Sequence, residues 1–441
     1  MTLSDKRTSK TTLERSALVA CSTLLTLSLI LLVHTGKAQS FQAGALPDRI
    51  ILTWSADPAT TQSVTWRTDS TVVKSFAQIL VEDSSPKLDK PEAKEYPAVT
   101  SFLKGTEYEL ANYHSVTFTG LSPDQVYTYR VGDGTNWSEW FQFKTAPAVT
   151  KPFSFIYLGD AQNDIKSKWS RVIRRAFATH GDARFIVHAG DLINRSNNDK
   201  EWGEWHFGGG FINGMIPSIP SSGNHEYFRD EQKLLTLDPH WRAQYTLPEN
   251  GPKGLEESVY YLDYSNVRLI SLNSQMIVLD SNSLKIQAAW LEEVLKNNPK
   301  QWTMITYHHP VYSTAKGRDN KEFREIFKPL FDKYHVDILM QGHDHTYSRG
   351  QNLPTGVSGR VGGPMYVVSV AGPKMYKVDV TPKWMDIFAE NTQLFQIISV
   401  DHDNLVYTAY KASGEIFDSF KLKKTSKDKA AIFTDLRKNK K

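Results

Sequence analysis

One construction recurs five times in this chain: an apolar run of strand length that stops abruptly at Gly, Asp, Asn or His. The runs are FSFIYLGD (Phe153–Asp160), RFIVHAGD (Arg184–Asp191), IPSSGNHE (Ile219–Glu226) and WTMITYHHP (Trp302–Pro310). The fifth is Val336–Met340, which leads into GHDHTY (Gly342–Tyr347). Short apolar runs bounded by turn residues and alternating with helical patterns read as buried strands of an α/β sheet. Sites in such sheets form outside the carboxyl ends of the strands. Five strand ends that supply Asp, Asp, Asn, His and a His pair therefore predict a metal site laid out along one sheet edge. In a tight turn, His343 and His345 can aim both imidazoles at one point. Mixed oxygen and nitrogen donors suit Fe, Mn or Zn rather than Ca or Mg alone.

The rest of the chain divides around this region. Between Phe41 and Pro147 the pattern is all-β, with runs at Ile50–Trp54, Ser63–Arg67, His114–Phe118, Val126–Val131 and Trp140–Phe143 separated by turn residues. Short strands at this spacing predict a β-sandwich over residues 41–147. Trp54, Trp66 and Trp137 are read as its core. After the linker Ala146–Pro152, a second domain is expected over 151–424, with strands alternating with helices. Helical stripes fall at Lys168–His180, at a segment capped by Ser283 that carries Leu284, Ala288, Leu291 and Leu295, and at Asn320–Tyr334. Later runs at Met365–Val370, Leu394–Val400, Leu405–Tyr410 and Glu415–Leu422 are expected to complete a second sheet of the same domain. Residues 425–441, dense in lysine, read as a solvated basic tail.

Composition narrows the function classes. A net charge of +4 over 441 residues is too mild to argue for a nucleic-acid partner. Lys6, Arg7, Lys10 and Arg15 precede an apolar run, Ala17–Val33, and the small residues Gly36-Lys37-Ala38. That is a secretory signal over residues 1–38, cleaved after Ala38, which predicts a secreted or periplasmic protein. The rival readings are an uncleaved membrane anchor and a lipoprotein box at Leu18–Cys21. Cys21 is the only cysteine, so the mature chain has no disulfide and no thiol nucleophile.

GDAQ (Gly159–Gln162), GDLIN (Gly190–Asn194), GNHE (Gly223–Glu226), YHHP (Tyr307–Pro310) and GHDHTY resemble, in order, the five motifs of the calcineurin-like metallophosphoesterases. Thr119–Val131 resembles a stretch of a fibronectin type III domain. With a sandwich in front, the resemblance narrows to the purple acid phosphatases and their bacterial relatives, over residues 45–422. It implies a two-sheet α/β (α+β) metallophosphoesterase sandwich flanked by helices, preceded by an all-β domain. It also implies two metal ions, drawn from Fe, Zn and Mn. Asp191 would bridge them, Asp160 and His345 would hold the first, and Asn224, His308 and His343 the second.

The implied reaction is hydrolysis of a phosphorylated small molecule, a phosphomonoester, by a metal-bound hydroxide. His225 would bind phosphate and protonate the leaving group, with Glu226 holding it in place. His309 would orient His308, meet substrate or simply pack. Two departures from the family pattern stand out. Asn194 occupies the place of the tyrosine that colours these enzymes, so no purple colour is expected; its carbonyl would coordinate or contact a metal-bound water. The loop after YHHP has no histidine, and Lys316 or Arg318 would supply positive charge instead. Tyr347 and Arg349 are near enough to the histidines to reach substrate oxygens. The alternatives are a phosphodiesterase acting on nucleotides or phospholipid head groups, and a non-catalytic surface binding protein.

Overall fold

Alternation of apolar and polar residues builds the first layer pair. The computed structural model describes residues 41–103, 110–351 and 363–437. The signal, anchor and lipoprotein readings, with Cys21, lie outside the described residues. Strands Asp48–Thr53, Gln62–Asp69, Ala111–Phe118 and Val99–Leu103 form one antiparallel sheet. Lys94–Pro97, Phe76–Val81, Val126–Gly132 and Phe141–Lys144 form the other. Between them Trp66, Ile79, Phe118, Tyr129, Val131 and Phe143 form a buried core. Trp54 faces the other way, and its ring meets Phe185 edge-on at 6.0 Å in the second domain. Trp137 is only half-buried and lies under the Arg130 guanidinium at 4.4 Å.

The second domain packs two seven-stranded sheets face to face. In the first, the parallel strands Ser218–Pro220, Ile186–His188 and Phe153–Leu158 are continued by the antiparallel strands Leu394–Asp401, Asn404–Lys411, Ile416–Lys423 and Ile432–Asp435. The second sheet runs Tyr260–Tyr264, Val267–Ser271, Trp302–Thr306, Ile338–Gln341, Met365–Val368, Tyr347–Gly350 and Ile387–Ala389. Tyr157, Ile398 and Tyr407 meet Leu269, Met304 and Met340 in the shared core. On the outer face of the second sheet, Ile305 and Leu339 pack against helices Ser281–Lys296 and Lys321–Lys333. Phe323, Phe327 and Phe331 recur every fourth residue and are all buried. Each such side chain contributes roughly 1.5–3 kcal/mol by leaving water.

Three further expectations change. The late strands do not all complete one sheet: Met365–Val368 joins the second, whereas those from Leu394 onward extend the first. The helix after Leu279 is capped by Asp280, whose carboxylate accepts from the Asn282 and Ser283 amides; the shorter Ser283 hydroxyl lies inside the first turn. The lysine-rich end is not a solvated tail up to residue 437. Ile432–Asp435 pairs with Ile416–Lys423, and Lys424 is buried on Asp337 at 2.8 Å.

From Ala43 onward the chain is one unit, and a buried ionic cluster helps to join its domains. The Asp199 carboxylate, in the first turn of helix Asp199–Gly209, accepts two Arg49 contacts at 2.7 Å and one from Arg67 at 3.1 Å. Asp48 pairs with Arg67 at 2.6 Å, and His240 lies 3.7 Å from Asp199.

Candidate metal centre

The five motif strands end together, though not along one sheet edge as the sequence pattern suggested. Phe153–Leu158, Ile186–His188 and Ser218–Pro220 come from the first sheet, and Trp302–Thr306 and Ile338–Gln341 from the second. The motifs therefore meet at the seam between the sheets, because stacking the two sheets brings both sets of carboxyl ends to one side. Their turns are tight. Asp191, His343 and His345 have φ of 52°, 72° and 47°, left-handed conformations that cost about 1–3 kcal/mol each for such residues. Glycine is required at Gly342, where a Cβ would lie 2.2 Å from Asp160 Oδ1.

Two donor groups result, Asp191–His308–His343 and Asp160–Asp191–His345; within each, the donor atoms lie within 4.8 Å of one another. Asp191 belongs to both. His308 donates from Nδ1 to the Ala189 carbonyl at 2.9 Å, which turns Nε2 toward Asp191 Oδ2 at 3.0 Å. Asn224 Oδ1 and His343 Nδ1 lie 3.2 and 3.0 Å from that same Nε2. His345 donates from Nδ1 to the Lys374 carbonyl at 3.1 Å, and its Nε2 faces Asp160 Oδ2 at 3.3 Å. Backbone acceptors that fix imidazole tautomers in this way are usual around metal-binding histidines.

The surrounding residues divide into those that hold the centre and those that lie elsewhere. Glu226 does not hold His225. Its carboxylate accepts from the amides of Gly223, Asp191 and Leu192 at 2.6–2.9 Å, and so fixes the Asp191 turn. The His225 amide donates to Asp191 Oδ1 at 2.9 Å, and its ring Nδ1 lies 2.5 Å from the Asn194 carbonyl. Asn194 thus acts through its backbone on His225. His309 packs behind His343 with rings 4.1 Å apart, its Nδ1 3.0 Å from Ser274 Oγ. Arg318 donates to the His343 carbonyl at 2.8 Å and to Asp344 at 3.1 Å, at the rim of the site. Lys316 is exposed on the outer part of the same loop.

Tyr347 and Arg349 do not reach the site. Tyr347 is fully buried and donates to Asp418 at 2.7 Å. Arg349 is likewise buried, bound to Asp418 at 2.8 and 3.0 Å and near Asp386 and Asp435. Both lie on a strand running away from the turn, and alternation alone does not tell which face meets the site. Gln162, not singled out from the sequence, lies inside it: Nε2 is 2.8 Å from Asp191 Oδ2 and 3.1 Å from His345 Nε2. Its signal was its place in GDAQ, two residues after Asp160.

Burial and mutual charge perturb every ionisable group of the centre. Burial raises the Asp160 carboxyl well above its ordinary range; His308 opposes the shift and Asp191 adds to it. Burial also acts to raise Asp191, but His308, His225 and His343 outweigh it and hold it low. Burial acts to lower His308, yet the two carboxylates push it up to about 9. Burial lowers His345 to about 3, and lowers His343 further with help from its neighbours His309 and His308. Two strongly perturbed carboxyl groups thus share one buried site with three imidazoles, and the buried Gln162 Oε1 has no hydrogen-bond partner. Carboxylate, imidazole and amide donors around a shared Asp fit two cations with mixed oxygen and nitrogen ligation.

Comparison with known proteins agrees with this construction. Residues 47–145 match the purple acid phosphatase N-terminal domain, and residues 153–347 match the calcineurin-like phosphoesterases. Purple acid phosphatase 23 of Arabidopsis thaliana is 26% identical over 60% of this chain and 64% of that protein. The Fe(3+)-Zn(2+) purple acid phosphatase 12 of the same plant is 25% identical over 59% and 57%. This chain spans 53–67% of the length of these and other curated relatives. A purple acid phosphatase from yellow lupin (Lupinus luteus) seeds, PPD1, has the same fold, with a TM-score of 0.71, 20% identity, and 86% of this chain and 74% of that one covered. Among the described residues no helix is long and apolar enough to cross a membrane. Domain order, matched motifs and shared fold place the chain among the purple acid phosphatase-like, calcineurin-type phosphoesterases.

Proposed function

We propose that the protein is an exported phosphoesterase with a dinuclear metal centre that hydrolyses phosphomonoesters. The observation that carries this reading is the position of Asp191, shared by two donor groups that are otherwise separate. When bound, two cations there supply Lewis acidity to phosphoryl oxygens and a nucleophile at neutral pH. Asp160 and His345 hold one side, and Asn224, His308 and His343 the other. Glu226 fixes the Asp191 turn through three amides, so the shared carboxylate does not reorganise during the reaction. His225 keeps a partly exposed ring anchored through Nδ1 on the Asn194 carbonyl, which leaves Nε2 to face a phosphate or leaving-group oxygen and, when the ring carries its second proton, to donate it there. Arg318 adds a fixed cation at the rim. The Arg318 guanidinium on the open side favours the dianion of a monoester over the single charge of a diester.

Asn194 offers no phenolate, so divalent Zn, Mn or Fe is preferred to ferric iron and the loaded protein is colourless. Export rests on the basic and apolar segments before Ala38. The test pairs elemental analysis with hydrolysis of mono- and bis-nitrophenyl phosphate, for wild type and Asp191→Ala. About two ions per wild-type chain, faster cleavage of the monoester and loss of both activity and metal in Asp191→Ala are expected. Faster diester cleavage would convert the reading to a phosphodiesterase. A wild-type chain that stays inactive after Fe, Mn and Zn are supplied would overturn it.

A further inference from the structure

We propose that Gln162 is itself a metal ligand, its side-chain carbonyl completing the donor group of Asp160, Asp191 and His345. This rests on the dinuclear reading above. The two donor groups are unequal. The group around His308 and His343 has Asp191 and, through Asn224 Oδ1 beside His308, a fourth donor. The other group has three, which leaves at least one position around a four-coordinate ion such as zinc for a further donor.

The Gln162 amide fills that gap. The side chain is fully buried. One terminal atom lies 2.8 Å from Asp191 Oδ2 and 3.1 Å from His345 Nε2, both of them donor atoms of the group. The other, Oε1, is buried and has no hydrogen-bond partner. The two ends of a glutamine amide are nearly the same shape, and their assignment follows from the surrounding hydrogen bonds. Without a cation, the –NH2 end turns inward, since it meets two acceptors. His345 is an acceptor at Nε2 because its Nδ1 faces the Lys374 carbonyl. With a cation between those acceptors, a half-turn of the amide brings the carbonyl onto the ion and removes an N–H from a positive charge.

The backbone allows little else. The Ala161 and Gln162 amides both donate to the Asp191 carbonyl, at 3.0 and 3.1 Å. Behind them stands Gly372, where a Cβ would lie 2.8 Å from the Gln162 carbonyl. Gln162 is thus held at the site by main-chain contacts that survive changes to its side chain.

The competing role is a hydrogen-bond donor that steadies Asp191, and two substitutions separate the roles. Gln162→Leu removes both ends of the amide. Gln162→Glu keeps an oxygen and removes the N–H. The full-length protein is stripped with a chelator and titrated with Zn2+ or Mn2+ against a chromophoric competitor, and stoichiometry is read by elemental analysis. Wild type is expected to take two ions. Gln162→Leu is expected to keep one with unchanged affinity and to bind the other at least 100-fold more weakly. Gln162→Glu is expected to hold both at least as tightly as wild type. A donor role predicts the reverse for Gln162→Glu, which would put an unrelieved carboxylate against Asp191.

Equal loss in the Glu and Leu variants, or two undiminished ions in Gln162→Leu, would overturn the proposal and leave the dinuclear reading standing. Failure of wild type to bind two ions would overturn both. Should Gln162→Leu not fold, Gln162→Glu decides alone. A crystal structure of the loaded wild type provides an independent check, with the glutamine carbonyl expected at about 2.0–2.2 Å from an ion.

Discussion

Removing Asp199 should cost a large share of the protein's stability, although it lies outside the metal centre. In Asp199→Ala, Arg49 loses both 2.7 Å carboxylate contacts and keeps the Tyr113 hydroxyl at 3.1 Å and the residue 199 carbonyl at 3.1 Å. Arg67 keeps Asp48 at 2.6 and 2.8 Å. One buried guanidinium is thus left uncompensated, at about 3–5 kcal/mol. The lost negative charge in the first turn of helix Asp199–Gly209 adds about 0.3–1 kcal/mol. The expected loss is therefore roughly 3–6 kcal/mol, against about 5–15 kcal/mol for a typical domain.

The assay is urea unfolding at pH 7, followed by tryptophan fluorescence, with a lowered midpoint at unchanged slope. The double variant Arg49→Met with Asp199→Leu replaces the pair by apolar groups. It should recover most of the loss, since apolar replacement of a buried ion pair is often neutral. A loss below about 1 kcal/mol in Asp199→Ala, or a double variant no better than the single one, would refute the reasoning. Function should follow. Glu201, in the same first turn, accepts the amides of Asn194 and Arg195, and the Asn194 carbonyl anchors His225.

Two other expectations concern groups the chemistry does not use. Burial lowers His114 to about 4 and His188 and His206 to about 3. Between those values and the ordinary pKa near 6.5, only the unfolded chain binds these protons. Stability is therefore full above pH 6.5 and falls with pH, at up to three protons or about 4 kcal/mol per unit; urea midpoints from pH 7 to 4.5 that stay flat would contradict this. Arg349→Met leaves buried Asp418 with weaker partners, the Tyr347 hydroxyl and Arg437 at 3.4 Å. It should lower stability by about 3–5 kcal/mol while KM of the folded enzyme is unchanged. A tenfold rise in KM at intact stability would return Arg349 to the substrate.

What the sequence by itself determined is what depends on local pattern. Period-two and period-3.6 apolar spacing fixed the sandwich, the Phe323–Phe327–Phe331 helix and the five buried strands. The abrupt stops at Asp160, Asp191, Asn224, His308 and His343 marked where donors emerge. Tertiary structure decided what depends on which surfaces meet. The stacking of two sheets put the centre at their seam instead of along one edge, and sent the strands after Leu394 to the first sheet. It also turned Tyr347 and Arg349 onto Asp418, since a strand leaving a turn can present either face. Glu226 reads in sequence as the neighbour of His225, yet in space its carboxylate meets three amides of the Gly223 and Asp191 turns. The place of Gln162 followed the same logic: only the fold brings its amide between Asp191 and His345, residues 29 and 183 positions away along the chain.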